Sequence, residues 1–375
     1  MTEFLWLLLP VAAASGWFAA RKAQTRQRSV SDALKPAYLR GLGYLLNEQS
    51  DHPLEVFGRM VEQDRDTVET HLILGSLFRR RGEVDKAIQV HQALIEHAAL
   101  DQTLRAQATL ELARDYLKAG VLDRAEALFK TVLTSGHLQS ESAQCLCRLY
   151  EQEKEWEKAI WAAQQWTRYS TQKPTTQLAH YFCERADLAL HEGQLVTAKT
   201  QALQALTTDP FSVRARLLLG QIALQDADYP QAVLHCSKAI EQDMRLAVLV
   251  LPCLHAAYQA MDAQDPYRAF LSQISQTAHT DCSRLAVLQA LEDSGEHTLL
   301  DALLHQEIER ESLNLGVLAL FIRQAQRQGQ LGSAKVVAHL QRVLDQQLSE
   351  RPRFGCQHCG FKASAHFWCC PSCHT

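Results

Sequence analysis

The chain has 375 residues, 47% of them hydrophobic and 21% charged, so it has the means to bury one large or two ordinary cores and is not a disordered polymer. Its 38 Lys and Arg against 42 Asp and Glu leave a net charge of −4, too mild and of the wrong sign for a protein built mainly to hold nucleic acid. Eleven cysteines are compatible with disulfides, metal ligands or core thiols, and their positions have to decide.

Residues 4–20, FLWLLLPVAAASGWFAA, carry no charge and have Trp6 and Trp17 near the two ends. At about 1.5 Å per residue this run reaches roughly 25 Å, a short but sufficient membrane span. Glu3 is the one charged side chain before it, whereas Arg21, Lys22, Arg26 and Arg28 follow before the first acidic residue, Asp32. Positive-inside logic places the rest of the chain in the cytoplasm, and the basic cluster stands on the wrong side for a cleaved signal peptide. The sequence therefore predicts a transmembrane signal-anchor over 1–20 and a basic juxtamembrane linker over 21–34. One internal proline, Pro10, is tolerated in a bilayer. Ala12, Ala13, Ser15 and Gly16 either offer a small-residue face to another membrane helix or reflect how common such residues are there.

A helix-turn-helix pattern then repeats from 35 to 345. THLILGSLFRRRGEVDKAIQVHQALI sets Leu74-Gly75, Phe78, Gly82 and Ala87 at offsets that return as Leu112-Ala113, Tyr116, Gly120, Ala125 and Phe129. Further copies carry Leu146-Cys147, Tyr150 and Ala159; Ala186, Gly193 and Ala198; and Leu219-Gly220, Ala223, Ala232 and Ala239. The small residue at the helix crossing falls at 75, 113, 147, 186 and 220, in steps of 38, 34, 39 and 34. A weaker copy has Gly41, Tyr44 and Phe57, with Pro53 where a small residue is expected. Copies around Leu254 to Ala269, Leu285 to Leu304 and Leu315 to Leu340 keep the helical period and blur the signature. The pattern, with Pro210 at a repeat end, resembles the tetratricopeptide repeat. That resemblance implies stacked helix pairs in a superhelix with a concave face suited to a peptide or partner helix.

No catalytic motif stands out. GQLGSAK at 329–335 fails the phosphate-loop spacing and reads as an interhelical turn, and there is no G-x-S-x-G elbow or H-E-x-x-H pair. His71, His91 and His235 fall inside repeat helices as core or groove residues, and the Asp and Glu residues are expected mostly on solvated helix faces. The C-terminal RFGCQHCGFKASAHFWCCPSCHT is different: Cys356 and Cys359 form a C-x-x-C-G knuckle, and Cys370 and Cys373 a C-P-x-C knuckle. Four thiolates so placed suit one tetrahedral Zn or Fe ion, and a segment over 350–375 is too short to fold without such a staple. Two disulfides would conflict with a cytoplasmic location. Cys369 adjoins the site as a competing thiol, and His358, His366 and His374 read as spectators. Phe361, Phe367 and Trp368 are expected to pack the knuckle domain against the last repeat. Cys145, Cys147, Cys183, Cys236, Cys253 and Cys282 lack metal spacing and read as small core residues.

An anchor, a tetratricopeptide array and a rubredoxin-like metal knuckle, in that order, resemble the lipopolysaccharide assembly protein B family of Gram-negative bacteria, also called YciM. The likeness runs over essentially the whole chain. It is most specific in LLLPVAAASGW at 7–17, HLILGSLFRRRGEVDKAIQVHQ at 71–92, LARDYLKAG at 112–120, and CQHCGF with CPSC. The resemblance implies an all-α, single-pass protein of the bacterial inner membrane with its bulk on the cytoplasmic side. It further implies a non-enzymatic adaptor that works with the FtsH protease to promote degradation of the LpxC deacetylase. By the same resemblance the adaptor answers to a membrane signalling protein and to lipopolysaccharide assembly proteins, and its metal ligands are Cys356, Cys359, Cys370 and Cys373. The scaffold is also compatible with a homo-oligomer. The chain departs from the family in ending two residues after the last ligand, in the extra Cys369, and in Pro53. Two rivals remain: a membrane-tethered rubredoxin-type redox protein, and a zinc-ribbon nucleic-acid binder. The second has only Arg351, Arg353 and Lys362 as cations over 351–375, too few for a phosphate footprint.

Overall fold

Sixteen α-helices make up most of the described residues, and they follow one another as eight hairpins. Numbered from the first described helix, these are α1 (Arg65–Arg81) with α2 (Val84–His97), α3 (Gln102–Ala119) with α4 (Leu122–Thr134), and α5 (Gln139–Glu153) with α6 (Trp156–Tyr169). Then come α7 (Thr175–His191) with α8 (Leu195–Thr208), α9 (Val213–Gln225) with α10 (Tyr229–Gln242), and α11 (Ala247–Ala260) with α12 (Gln264–Ser275). The last are α13 (Asp281–Asp293) with α14 (His297–Ile308), and α15 (Leu315–Arg327) with α16 (Ala334–Glu350). A two-strand antiparallel hairpin follows, β1 (Phe354–Gly355) on β2 (Lys362–Ala363). The computed structural model describes residues 65–97, 100–171, 173–308, 314–329, 334–350 and 352–373. The expected anchor at 4–20, the linker at 21–34 and the weak copy with Gly41, Tyr44, Pro53 and Phe57 lie outside them. Among the described residues no helix is long and apolar enough to cross a membrane.

Every hairpin turns at one residue with left-handed backbone, and those residues carry the repeat further along the chain than the crossing residues do. They are Gly82, Gly120, Lys154, Gly193, Ala227, Asp262, Gly295 and Gly329, so the steps are 38, 34, 39, 34, 35, 33 and 34. At seven of the eight turns the amide after the left-handed residue reaches back to a carbonyl five residues earlier. Examples are Glu83 N to Phe78 O at 3.0 Å and Asp228 N to Ala223 O at 2.8 Å. These bonds satisfy the carbonyls that a helix end otherwise leaves open. Helix starts are fixed by side-chain caps: Asp101 accepts from Leu104 N, Asn314 from Gly316 N, and Thr280 and Ser283 cap each other reciprocally. Pro210 lies in the turn before α9, where its carbonyl accepts from Arg216 and Gln242.

Two compact units divide the chain, one ending at Pro174 and one beginning at Thr175. In the first, Val68, Leu72, Leu94, Leu104 and Ala108 join α1, α2 and α3 in one apolar cluster. Gly75 lets α2 approach α1 so closely that a Cβ there would overlap the ring of His91. His91 is fully buried, with Nδ1 2.5 Å from Asp115 Oδ2 and Nε2 donating to the Leu72 carbonyl at 3.3 Å. Arg79 donates to Asp115 at 2.6 Å and to Glu111 at 2.6 Å. Asp115 departs from the solvated faces expected of most acidic residues: it is fully buried, and Arg79 and His91 supply the partners a buried carboxylate requires.

In the second unit one cluster of alanines with Cys183, Leu218, Leu219 and Ile222 joins α7, α8 and α9, and a larger one extends from α9 through α15. Gly220 marks the closest approach there, where a Cβ would overlap Cys236 Sγ. Five of the six non-knuckle cysteines are buried as expected. Cys282 is the correction: it lies in the first turn of α13 and is exposed, because it stands at the helix end, ahead of the apolar stripe that begins at Ala286, while its neighbour Ser283 is the residue of that turn that is buried.

Candidate metal centre

The knuckle domain is built on the β1–β2 pairing of Phe354 with Ala363 and Gly355 with Lys362. Between the strands, Cys356 N donates to Phe361 O at 2.8 Å and Gly360 N to Cys356 O at 3.0 Å, with Gly360 at φ +75°. This turn needs a residue without Cβ strain, which the C-x-x-C-G order supplies. The second knuckle brings Cys370 and Cys373 to the same point.

The four sulfurs all lie within 4.8 Å of one another, and two edges of the cluster, Cys356–Cys373 and Cys359–Cys370, measure 3.6 Å. A metal–sulfur bond of about 2.3 Å in a regular tetrahedron requires edges of about 3.8 Å, so the cluster is sized for such an ion. Cys370 is fully buried, Cys356 and Cys373 are half-buried, and Cys359 is exposed. The Cys359 thiol is pushed up to about 11: the Phe361 amide favours its thiolate, but the facing Cys373, Cys370 and Cys356 override that. Packed thiols of this kind give up their protons together only to a cation at their centre. Cys369 is exposed and stands outside the cluster, while its neighbour Cys370 is turned inward.

Docking of the domain reaches beyond the last repeat that its sequence led us to expect. Trp368 packs on the apolar cluster that runs from α9 to α15, with the guanidinium of Arg214 over its ring at 5.5 Å. Arg214 opens α9, early in the second unit rather than in the last repeat. Its side chain donates to Glu184 at 2.6 Å and to His180 Nδ1 at 3.0 Å, both on α7. Burial first, and then the Arg214 charge, lower the His180 pKa to about 4, so its ring is neutral and accepts the guanidinium proton. His366 is no bystander in packing: its ring lies edge-on to Trp368 at 4.5 Å and to Phe354 at 5.2 Å. Phe361 and Phe367 pack on each other at 5.8 Å, and Phe361 stays exposed. Sequence reasoning missed Arg214, Glu184 and His180 because they stand far from the knuckle in the chain. The one local hint was a pair of arginines, Arg214 and Arg216, at the start of the otherwise apolar VRARLLLG.

Fold and site together define a tetratricopeptide repeat protein that carries a four-cysteine knuckle at its C-terminal end. A tetratricopeptide repeat family model matches residues 183–246. Along its whole length the chain belongs to the lipopolysaccharide assembly protein B family. It is 32% identical over 377 residues to lipopolysaccharide assembly protein B of Escherichia coli (strain K12), covering 100% of this chain and 97% of that protein. It is 30% identical over 385 residues to the Haemophilus influenzae protein of the same name, covering 100% and 96%. Among solved structures, a tetratricopeptide repeat protein from Parabacteroides merdae is similar at a TM-score of 0.36 and 14% identity, over 74% of this chain and 98% of that one.

Proposed function

We propose that this protein is a non-enzymatic adaptor of lipopolysaccharide assembly, held in the bacterial inner membrane by residues 4–20 with its bulk in the cytoplasm. It brings the LpxC deacetylase to the FtsH protease and so sets the rate of LpxC degradation. The repeats hold client protein, and the membrane segment meets the protease and the signalling partner. The gain is in effective concentration: two proteins held on one scaffold at one membrane meet far more often than free ones. Cys356, Cys359, Cys370 and Cys373 would hold one Zn or Fe ion, whose contribution is to fold the knuckle that Arg214 clamps to the repeats.

The observation that carries this reading is the full-length similarity to lipopolysaccharide assembly protein B, which covers 100% of this chain, residues 4–20 included. Depleting the protein and following LpxC after synthesis is stopped is the direct experiment. A longer LpxC lifetime is expected, and unchanged turnover would overturn the adaptor role. A second reading, rubredoxin-type electron transfer, is favoured by the exposure of Cys359, which would put an iron centre near solvent. It requires a visible absorption band and a reversible couple in the purified protein.

A further inference from the structure

Among the described residues the shortest sulfur–sulfur contact recorded is not in the knuckle. Cys236 on α10 and Cys253 on α11 lie with their Sγ atoms 3.3 Å apart, the Cys236 thiol donating to the Cys253 sulfur. We propose that Cys236 and Cys253 are a redox-active dithiol pair that closes to an intramolecular disulfide when the cell meets peroxide.

Three features support it. A disulfide needs the sulfurs at about 2.04 Å, so they have to close by only about 1.3 Å. Both sulfurs are seated side by side in the notch that Gly220 leaves open, where a Cβ would overlap Cys236 Sγ and come within 3.7 Å of Cys253 Sγ, so the helix contact itself holds the two thiols together. The backbone can give as well, since Pro252, inside α11 and next to Cys253, has no amide to complete the helical ladder. The two thiols also differ in access, with Cys253 7% exposed and Cys236 fully buried. That difference orders the chemistry. The Cys253 thiolate attacks one peroxide oxygen and the O–O bond breaks, leaving a sulfenic acid and a hydroxide that takes up the displaced proton. Cys236 then attacks the Cys253 sulfur, the S–O bond breaks as the S–S bond forms, and the leaving hydroxide takes the Cys236 proton. Two thiols lose two electrons and one peroxide becomes two waters; a small thiol such as glutathione returns the pair to the reduced form. The product ties α10 covalently to α11, the junction between successive hairpins.

The test uses the full-length, metal-loaded protein treated under native conditions with hydrogen peroxide, then denatured, alkylated with N-ethylmaleimide and mapped by mass spectrometry. Exposed Cys282 serves as the internal gauge of oxidation. The expected result is loss of alkylation at Cys236 and Cys253 together, a linked peptide pair lighter by two hydrogens, and recovery of both sites with dithiothreitol. In Cys236→Ser, dimedone should label Cys253. The proposal is overturned if Cys236 and Cys253 remain fully alkylated in protein whose Cys282 or knuckle cysteines are already oxidised. It is equally overturned if the linkage appears only after unfolding.

Discussion

Replacing Gly75 with alanine separates two explanations of why a glycine stands in the middle of α1. If the position were merely tolerant, Gly75→Ala would stabilise the helix by about 1 kcal/mol, the difference in helix propensity. The structure predicts the opposite sign. An added Cβ would overlap His91 Nε2 and come within 2.5 Å of Cε1 and 2.9 Å of Cδ2. The ring has nowhere to retreat, held between Asp115 at 2.5 Å and the Leu72 carbonyl at 3.3 Å. Overpacking a close crossing costs about 1–3 kcal/mol, and pulling His91 off Asp115 costs about 1–3 kcal/mol more for a buried partner left unsatisfied. Against the gain of about 1, the net loss is about 1–5 kcal/mol, centred near 3. Because the chain has two units, a single melting temperature blurs the effect, and amide hydrogen exchange over α1 and α2 is the better assay. Protection there should fall about a hundredfold, at about 1.4 kcal/mol per tenfold. Unchanged or increased protection would refute the argument that this crossing is fixed by sterics.

Cys370→Ser removes the one fully buried sulfur of the knuckle and should lower bound metal from one equivalent to nearly none, with the Trp368 environment lost in parallel. Full metal stoichiometry in this variant, read by elemental analysis, would show that Cys369 takes its place. Stability should also depend on pH through His180, whose folded pKa near 4 lies below its unfolded value near 6.5. Between those values only the unfolded chain binds the proton, so stability contributed by the neutral ring is complete above pH 6.5 and is lost as pH falls towards 4. The loss should amount to about 1–3 kcal/mol in denaturant midpoints of the second unit, and His180→Gln should abolish that part of it. Ala227 carries a left-handed backbone that glycine adopts without strain, so Ala227→Gly should stabilise the α9–α10 hairpin by about 1 kcal/mol in the same measurements.

The repeat was legible wherever a small residue marks the crossing of its two helices: Gly75, Ala113, Cys147, Ala186 and Gly220 all lie in helices where the pattern put them. Beyond α10 that signature fades because no small residue is required where larger side chains such as Tyr267 and Leu271 fill the crossing. The helices nevertheless continue at the same period, and the signal that survives is the left-handed turn residue, at Asp262, Gly295 and Gly329. The knuckle ligands were legible because a metal site made of two short loops writes its spacing into the chain. Its docking was not, since Arg214 and Glu184 belong to other helices and no local rule links them to Trp368.

The sequence by itself determined the helical period, the turn positions of the early repeats and the four-thiol spacing, because each depends on residues within one or two turns of one another. Tertiary structure alone decided that Asp115 and His91 are buried as partners, that Cys282 faces solvent, that Cys236 meets Cys253, and that Trp368 rests under Arg214. All four depend on which helix faces lie together once the stack has formed. A side chain's exposure and partners belong to the packed faces of several helices, and the period of a single helix does not contain them.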